Sequence, residues 1–423
     1  MRHVVLPNLF GLLGLAVAVA GAFAQASPPA LPVADLVTEA LAKAPALAAL
    51  RSGVEASQAM ERPAGALPDP MVEAMIQDAD FPRYTVGTEE MSMAGVEVRQ
   101  RLPYPGKRRA RIAAAQAETA RRAAEVDVLA RRIAAEVRTL YARLYAIDRE
   151  RESLTAAREL MDMLATTASS RYSAGESEQE SILKAQLQGS RLEEQIEDLA
   201  AERTATVAEL NRWLDRPAAS PLGEVRELPA VAPLAGSWAG SWENAAVAGS
   251  PEVRSAQAAV ATAEKKLAAT RLDLKPDLSP SAGIASRGSF GPVLTLRLGV
   301  ELPFWKKDKQ EPMIRAAEAE LERSRQEVRD AEAMARAAAA RAAADREKAE
   351  RQITRYREGI LPQSSTALDA ARSSYLTGRG DFSTVIEDFN LWLEARVQLA
   401  RREADRFAAW AELQKLTGEG EQP

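Results

Sequence analysis

Proline placement constrains this chain more than any other feature. Between Pro105 and Pro217 there is none, and after Pro312 only Pro362 precedes the terminal Pro423. Proline inside a helix removes an N–H and clashes with the preceding turn, so two long stretches are left free to run as continuous helix. In the first, apolar residues fall at Val126, Leu129, Ile133, Val137, Leu140, Leu144, Ile147 and Leu154, and these steps of three and four make a coiled-coil seam. Arg151 interrupts it between the last two. A helix over 108–169 would be about 90 Å long, longer than an ordinary globular helix. Hydrophobic residues make up 46% of the chain and aromatics only 5%. That alanine-weighted balance suits closely packed helices rather than a thick aromatic core.

Turn chemistry divides each stretch. At Arg171-Tyr172-Ser173-Ala174-Gly175-Glu176-Ser177, Gly175 can take a positive φ at a helix end and Ser177 can cap the next helix, predicted over 178–213. The second stretch predicts a helix over 311–374, kinked at Pro362, a turn at Tyr375-Leu376-Thr377-Gly378-Arg379-Gly380, and a returning helix over 381–416. The likeness is an internal repeat. Leu36-x3-Ala40-x4-Pro45 matches Trp242-x3-Ala246-x4-Pro251, Leu102-Pro103-Tyr104 matches Leu302-Pro303-Phe304, and Tyr172-x2-Gly175 matches Tyr375-x2-Gly378. All three pairs stand in the same order, roughly 200 residues apart. This predicts one repeat over 27–216, a Pro/Gly-rich linker over 217–238, a second repeat over 239–418 and a tail over 419–423.

Each repeat also carries a stretch of period two. Ala94, Val96, Val98, Gln100 and Leu102 share one face, with Gly95, Glu97, Arg99 and Arg101 on the other. Leu294, Leu296, Leu298, Val300 and Leu302 likewise alternate with Thr295, Arg297, Gly299 and Glu301. Weaker strands precede them near 71–76 and 278–285. Segments of about ten residues, oily on one face and charged on the other, are the pattern of a transmembrane β-strand with a wet interior. Tyr104, Phe304 and Trp305 at one end, and Phe81, Tyr84 and Phe290 at the other, supply aromatic girdles. Four strands cannot close a barrel, and an open edge cannot face lipid. Membrane-spanning strands therefore require several chains, and three would give twelve strands. The competing reading is a small soluble sheet with one face on a core.

Arg2 and His3 precede a short apolar run from Leu9 to Ala20, with small residues at Ala24-Gln25-Ala26. This reads as a signal peptide over 1–26, and no later stretch is apolar enough for a spanning helix. His3 is the only histidine and there is no cysteine, so the mature chain would lack Ser-His-Asp and Cys-His catalysis and zinc sites of the usual ligands. A net charge of -5 gives no footprint for nucleic acid. Met71, Met75, Met91 and Met93 near the strands are candidate soft-metal ligands, with packing as the alternative role.

These residues resemble the outer-membrane efflux protein family, the TolC-like channels. The resemblance rests on Leu102-Pro103-Tyr104-Pro105-Gly106-Lys107-Arg108, on Arg171-Tyr172-Ser173-Ala174-Gly175, and on Tyr375-x2-Gly378-x2-Asp381-Phe382; the first and last look most like the heavy-metal branch. It implies a mainly α fold with a small β-barrel portion: a trimer with a long helical coiled-coil tunnel in the periplasm and a twelve-stranded transmembrane barrel, four strands per chain. It further implies a passive exit duct in the outer membrane, not an enzyme and without cofactor or bound metal, for heavy-metal cations or small toxic compounds. Its partners would be a periplasmic adaptor protein and an inner-membrane resistance-nodulation-division pump. Arg171, Tyr172, Gly175, Tyr375, Gly378, Asp381 and Phe382 would form the adaptor-docking tip. Thr384, Glu387 and Asp388 would form the periplasmic gate, with Thr384 a departure from the family's usual aspartate. Glu97, Arg99, Arg101, Arg297 and Glu301 would line the barrel lumen. The alternatives are a periplasmic coiled-coil adaptor, which usually carries one hairpin rather than two, and a carboxylate-based hydrolase, which requires paired acids in a cleft.

Overall fold

The computed structural model describes residues 32–80, 82–175, 178–231 and 241–418, and one order of elements occurs in it twice. The first pass runs α1 (Val33–Lys43), α2 (Pro45–Ala64), β1 (Met71–Gln77), β2 (Met93–Arg99), α3 (Lys107–Ser173) and α4 (Gln179–Trp213). The second runs α5 (Ser241–Gly249), α6 (Pro251–Leu272), β3 (Asp277–Ser286), β4 (Pro292–Glu301), α7 (Glu311–Arg355), α8 (Leu361–Leu376) and α9 (Phe382–Thr417). Pro45 and Pro251 both open a helix, where a missing N–H is no loss. The predicted signal peptide, Phe81, Ser177, the linker residues 232–238 and the tail over 419–423 lie outside the described residues.

The 67 residues of α3 extend about 100 Å, and its apolar seam feeds two cores in succession. Ile133, Val137, Leu140 and Leu144 pack with Leu36, Leu47, Leu210 and Phe407 in the first. Farther along, Leu154, Met161 and Leu164 meet Leu192, Leu199, Phe382 and Phe389 in the second. Val126 and Leu129, at the start of the seam, are only partly buried. The interrupting Arg151 is used: it forms an ion pair with Glu224. That partner belongs to the segment read as a linker, and its described part, 217–231, is no loose tether. Leu222 and Val225 are buried in the first core. The Asp148 carboxylate accepts the Val225 N–H at 2.8 Å and the Arg203 guanidinium at 2.7 Å, so the segment straps α3 to α4.

The break expected at Pro362 lies just ahead of it, as a π-turn over Tyr356–Ile360 between α7 and α8. Without an N–H, Pro362 cannot bond the carbonyl one turn back, and the wider turn upstream absorbs the mismatch.

The four strands form one antiparallel sheet in the order β1-β2-β3-β4. Val96 lies opposite both Ala74 and Ile284, and Ile284 opposite Leu294. One residue along, Glu97 lies opposite Glu73 and Gly283, and Gly283 opposite Thr295. Period-two alternation therefore gives the sheet one apolar and one polar face across all four strands. The β2–β3 pairing joins the two halves of the chain, and a Cβ on Gly95 would lie only 2.4 Å from the Ile284 carbonyl oxygen. Glycine is required there for the strands to approach.

Candidate functional site

The sheet is inside out by the standard of a water-soluble domain. Leu294, Leu296 and Leu298 on β4 are 70%, 73% and 68% exposed, and Val72 on β1 is 67% exposed, whereas Glu97 on the opposite face is 3% exposed. Of the five residues singled out for a lumen, only Glu97 is buried, enclosed by its ion-pair partners, while Arg99, Arg101, Arg297 and Glu301 stay about half exposed. All five lie together on that charged face, already paired. Arg297 forms an ion pair with Glu97. Arg99 reaches Glu97 at 3.6 Å and Glu73 at 3.3 Å, and Arg101 reaches Asp277 at 3.2 Å and Glu301 at 2.8 Å. A contiguous apolar face of this extent is stable only against another apolar phase.

Three members of this network escaped the sequence reading. Glu73 was legible in principle, because Met71, Glu73 and Met75 alternate with Val72, Ala74 and Ile76. Asp277 and Lys107 were not: their Oδ1 and Nζ atoms meet at 2.7 Å across 170 residues of chain, both side chains about 5% exposed. Asp277 also accepts the Tyr104 N–H at 2.8 Å, and Lys107 donates to the Lys275 carbonyl at 2.8 Å. The start of α3 is thereby fastened to the start of β3, where sheet becomes helix. By register Met71, Met75 and Met93 share the charged face, while Met91 lies in the β1–β2 loop. Among the described residues no group of three or more His, Cys, Asp or Glu is placed to hold a metal, and no helix is long and apolar enough to cross a membrane.

At the far end of the helices the two turns meet. Gly175 and Gly378 hold φ of 78° and 72°, the left-handed region that a side chain disfavours. The Arg171 guanidinium stacks 4.8 Å from the Tyr375 ring and donates to the Tyr375 carbonyl. Tyr375 in turn packs against Phe382 with ring centroids 5.2 Å apart. Lys184 donates to Ser383 Oγ at 2.8 Å, and its hydrogen bond to Glu180 holds its ammonium above the usual lysine range. Tyr172 remains exposed beside this contact. Asp381 starts α9 in an extended conformation. Thr384 and Glu387 are exposed and Asp388 is half-buried; the first two lie on the α9 face opposite the buried Val385 and Phe389.

A sheet with charge on one face and oil on the other, continued by helical hairpins of about 100 Å, is the TolC-like fold. Residues 242–419 match the family model described as outer membrane efflux protein. Solved structures agree over nearly its whole length. VceC from Vibrio cholerae is 18% identical, with a TM-score of 0.77 over 92% of this chain and 96% of that one. The CmeC outer membrane channel of Campylobacter jejuni is 12% identical, with a TM-score of 0.77 over 99% and 94%. CusC, described with the conformational changes accompanying folding and transmembrane channel formation, is 16% identical, with a TM-score of 0.74 over 92% of each chain. No curated sequence matches significantly.

Proposed function

We propose that this chain is the passive exit duct of a tripartite efflux system. Three copies close a twelve-stranded barrel, and the helical hairpins continue it toward a periplasmic adaptor and an inner-membrane resistance-nodulation-division pump. The observation that carries this reading is the inverted sheet: one face is apolar and exposed and the opposite face carries paired charge, while β1 and β4 end as edges that lipid cannot solvate. Glu97, Arg99, Arg101, Arg297 and Glu301 line the lumen. With their positive and negative groups paired, they leave a wet surface that holds no single ion strongly. Arg171, Tyr172, Gly175, Tyr375, Gly378, Asp381 and Phe382 form the docking tip, and Thr384, Glu387 and Asp388 narrow the periplasmic entrance. The cargo is a heavy-metal cation or a small toxic compound, moved by the pump. The repeats are 27–216 and 239–418, joined through 217–238. An adaptor role gains nothing from an apolar sheet face that meets no core.

The test joins assembly to export. Purified protein should be a trimer in detergent, and Gly378→Glu or Glu387→Lys should leave trimers in the outer membrane while abolishing export and crosslinking to the adaptor. A stable monomer overturns the duct; normal export and crosslinking with both positions changed overturns the tip assignment.

A further inference from the structure

The segment joining β4 to α7 stands apart from the rest of the surface. It follows the apolar strand directly as Leu302-Pro303-Phe304-Trp305 and then enters a π-turn over Lys306–Gln310. Phe304 and Trp305, 78% and 75% exposed, surpass even the outward leucines of β4. Lys306, Lys307 and Lys309 are all exposed, and among the described residues none has an acidic partner within 4.0 Å. Only Asp308 lies among them, leaving a net charge of about +2 on five residues. On the charged face of the sheet and at the matching position of the first half the cations are engaged: Arg99, Arg101 and Arg297 in ion pairs, and Lys107 in its buried pair with Asp277. The first half uses its lysine internally; the second, among the described residues, leaves three without an acidic partner.

Their position says what they face. Two aromatic rings continue the apolar face past the end of β4 on the helical, periplasmic side. At that depth a ring lies at the boundary between hydrocarbon and headgroups, and lysine stems extend along apolar surface to carry their ammoniums outward. An ammonium is a flexible point charge suited to a phosphate oxygen. Headgroups of zero net charge give such a cluster little attraction, whereas those of net negative charge attract it strongly. We propose that Phe304, Trp305, Lys306, Lys307 and Lys309 form a collar that binds anionic glycerophospholipid in the periplasmic leaflet of the outer membrane, with the rings seated at the acyl boundary and the lysines on the phosphodiester. The collar rests on the outer-membrane placement and not on the direction or cargo of transport.

The purified full-length protein, reconstituted in lipid nanodiscs containing phosphatidylethanolamine and a minority of phosphatidylglycerol, supplies the test. Retained lipid is counted by native mass measurement, which also reports the oligomer. The protein should enrich phosphatidylglycerol, and the variant Lys306→Gln/Lys307→Gln/Lys309→Gln should lose that enrichment by on the order of tenfold or more, from about fivefold per lysine, with its oligomer unchanged. Phe304→Ser/Trp305→Ser should shorten retention of both lipids. Millimolar inorganic phosphate should not displace the bound lipid. Equal retention of the two lipids by the unmodified protein, enrichment that survives the triple substitution, or displacement by inorganic phosphate overturns the proposal. Unmodified protein that enriches phosphatidylglycerol but is a monomer in the same mass measurement counts against the duct reading alone.

Discussion

Asp277 gathers three partners at the junction of sheet and helix. Its carboxylate meets Lys107 Nζ, the Arg101 guanidinium and the Tyr104 N–H. Removing one partner of a buried ion pair leaves the other charge unsatisfied, at a cost of about 3–5 kcal/mol, while replacing both is far milder. Asp277→Asn should therefore lower trimer stability sharply in a thermal melt, and Lys107→Met/Asp277→Asn should recover part of the loss. A double variant no better than the single one would show that the Arg101 and Tyr104 contacts, not the buried pair, dominate. At this scale the sequence showed which side chains share a face, because alternation is local. It could not show Asp277 beside Lys107, since nothing nearby in the chain marks a contact made across the fold. Arg171 illustrates the same limit: its place at the turn was legible, but its stacking on Tyr375 of the other hairpin was not.

Among the elements, helices α3 and α6 are held together by a charged cluster as well as by packing. Glu118 on α3 accepts from Arg121 at 2.7 Å and from Lys266 on α6 at 3.1 Å. The Arg121 hydrogen bond foremost, aided by Lys266, holds its carboxyl at about 2, well below the ordinary 4.5. A carboxyl depressed in the folded state stabilises fully above its unfolded value, and that contribution disappears as pH falls through the folded one. The unmodified protein should thus melt higher than Glu118→Gln at neutral pH, with the gap shrinking below about 4.5 and closing near 2. A gap that stays constant from pH 7 to pH 2 would locate the effect in packing rather than charge. Helix extents were readable from seam and proline to within a few residues: 108–169 was expected and Lys107–Ser173 found. The π-turn before Pro362 was not readable, because periodicity reports which face is apolar and not which carbonyl a given N–H selects. The strap over 217–231 was hidden for a related reason. Its proline and glycine content describes a chain without regular structure, and says nothing of whether Leu222 and Val225 find a core.

For the molecule as a whole, the division into outward and lumen faces can be mapped directly. In the assembled protein, single cysteines replacing Glu97, Arg99, Arg101, Arg297 or Glu301 should react quickly with a charged aqueous thiol reagent, while cysteines at Val96 and Leu296 should be protected by lipid. Membrane-embedded strands do not tolerate charge on the lipid face, where Arg or Lys near the midplane costs about 2–4 kcal/mol. Fast labelling at 96 and 296 with protection at 97 and 297 would reverse the faces.

The pairing of β2 with β3 has a consequence for how such a molecule could have arisen. Each half of the chain brings two strands and one helical hairpin, and the bond between halves is an ordinary antiparallel ladder. A ladder closing β4 of one chain onto β1 of the next would be of the same kind, since the strands alternate in direction right across the sheet. To the barrel, the joint within a chain and the joint between chains are equivalent. Six half-length chains could build the same wall, and fusing them in pairs would halve the number of separate pieces to be gathered while freeing the two halves to diverge, one lysine turning inward to Asp277 and three others remaining outside.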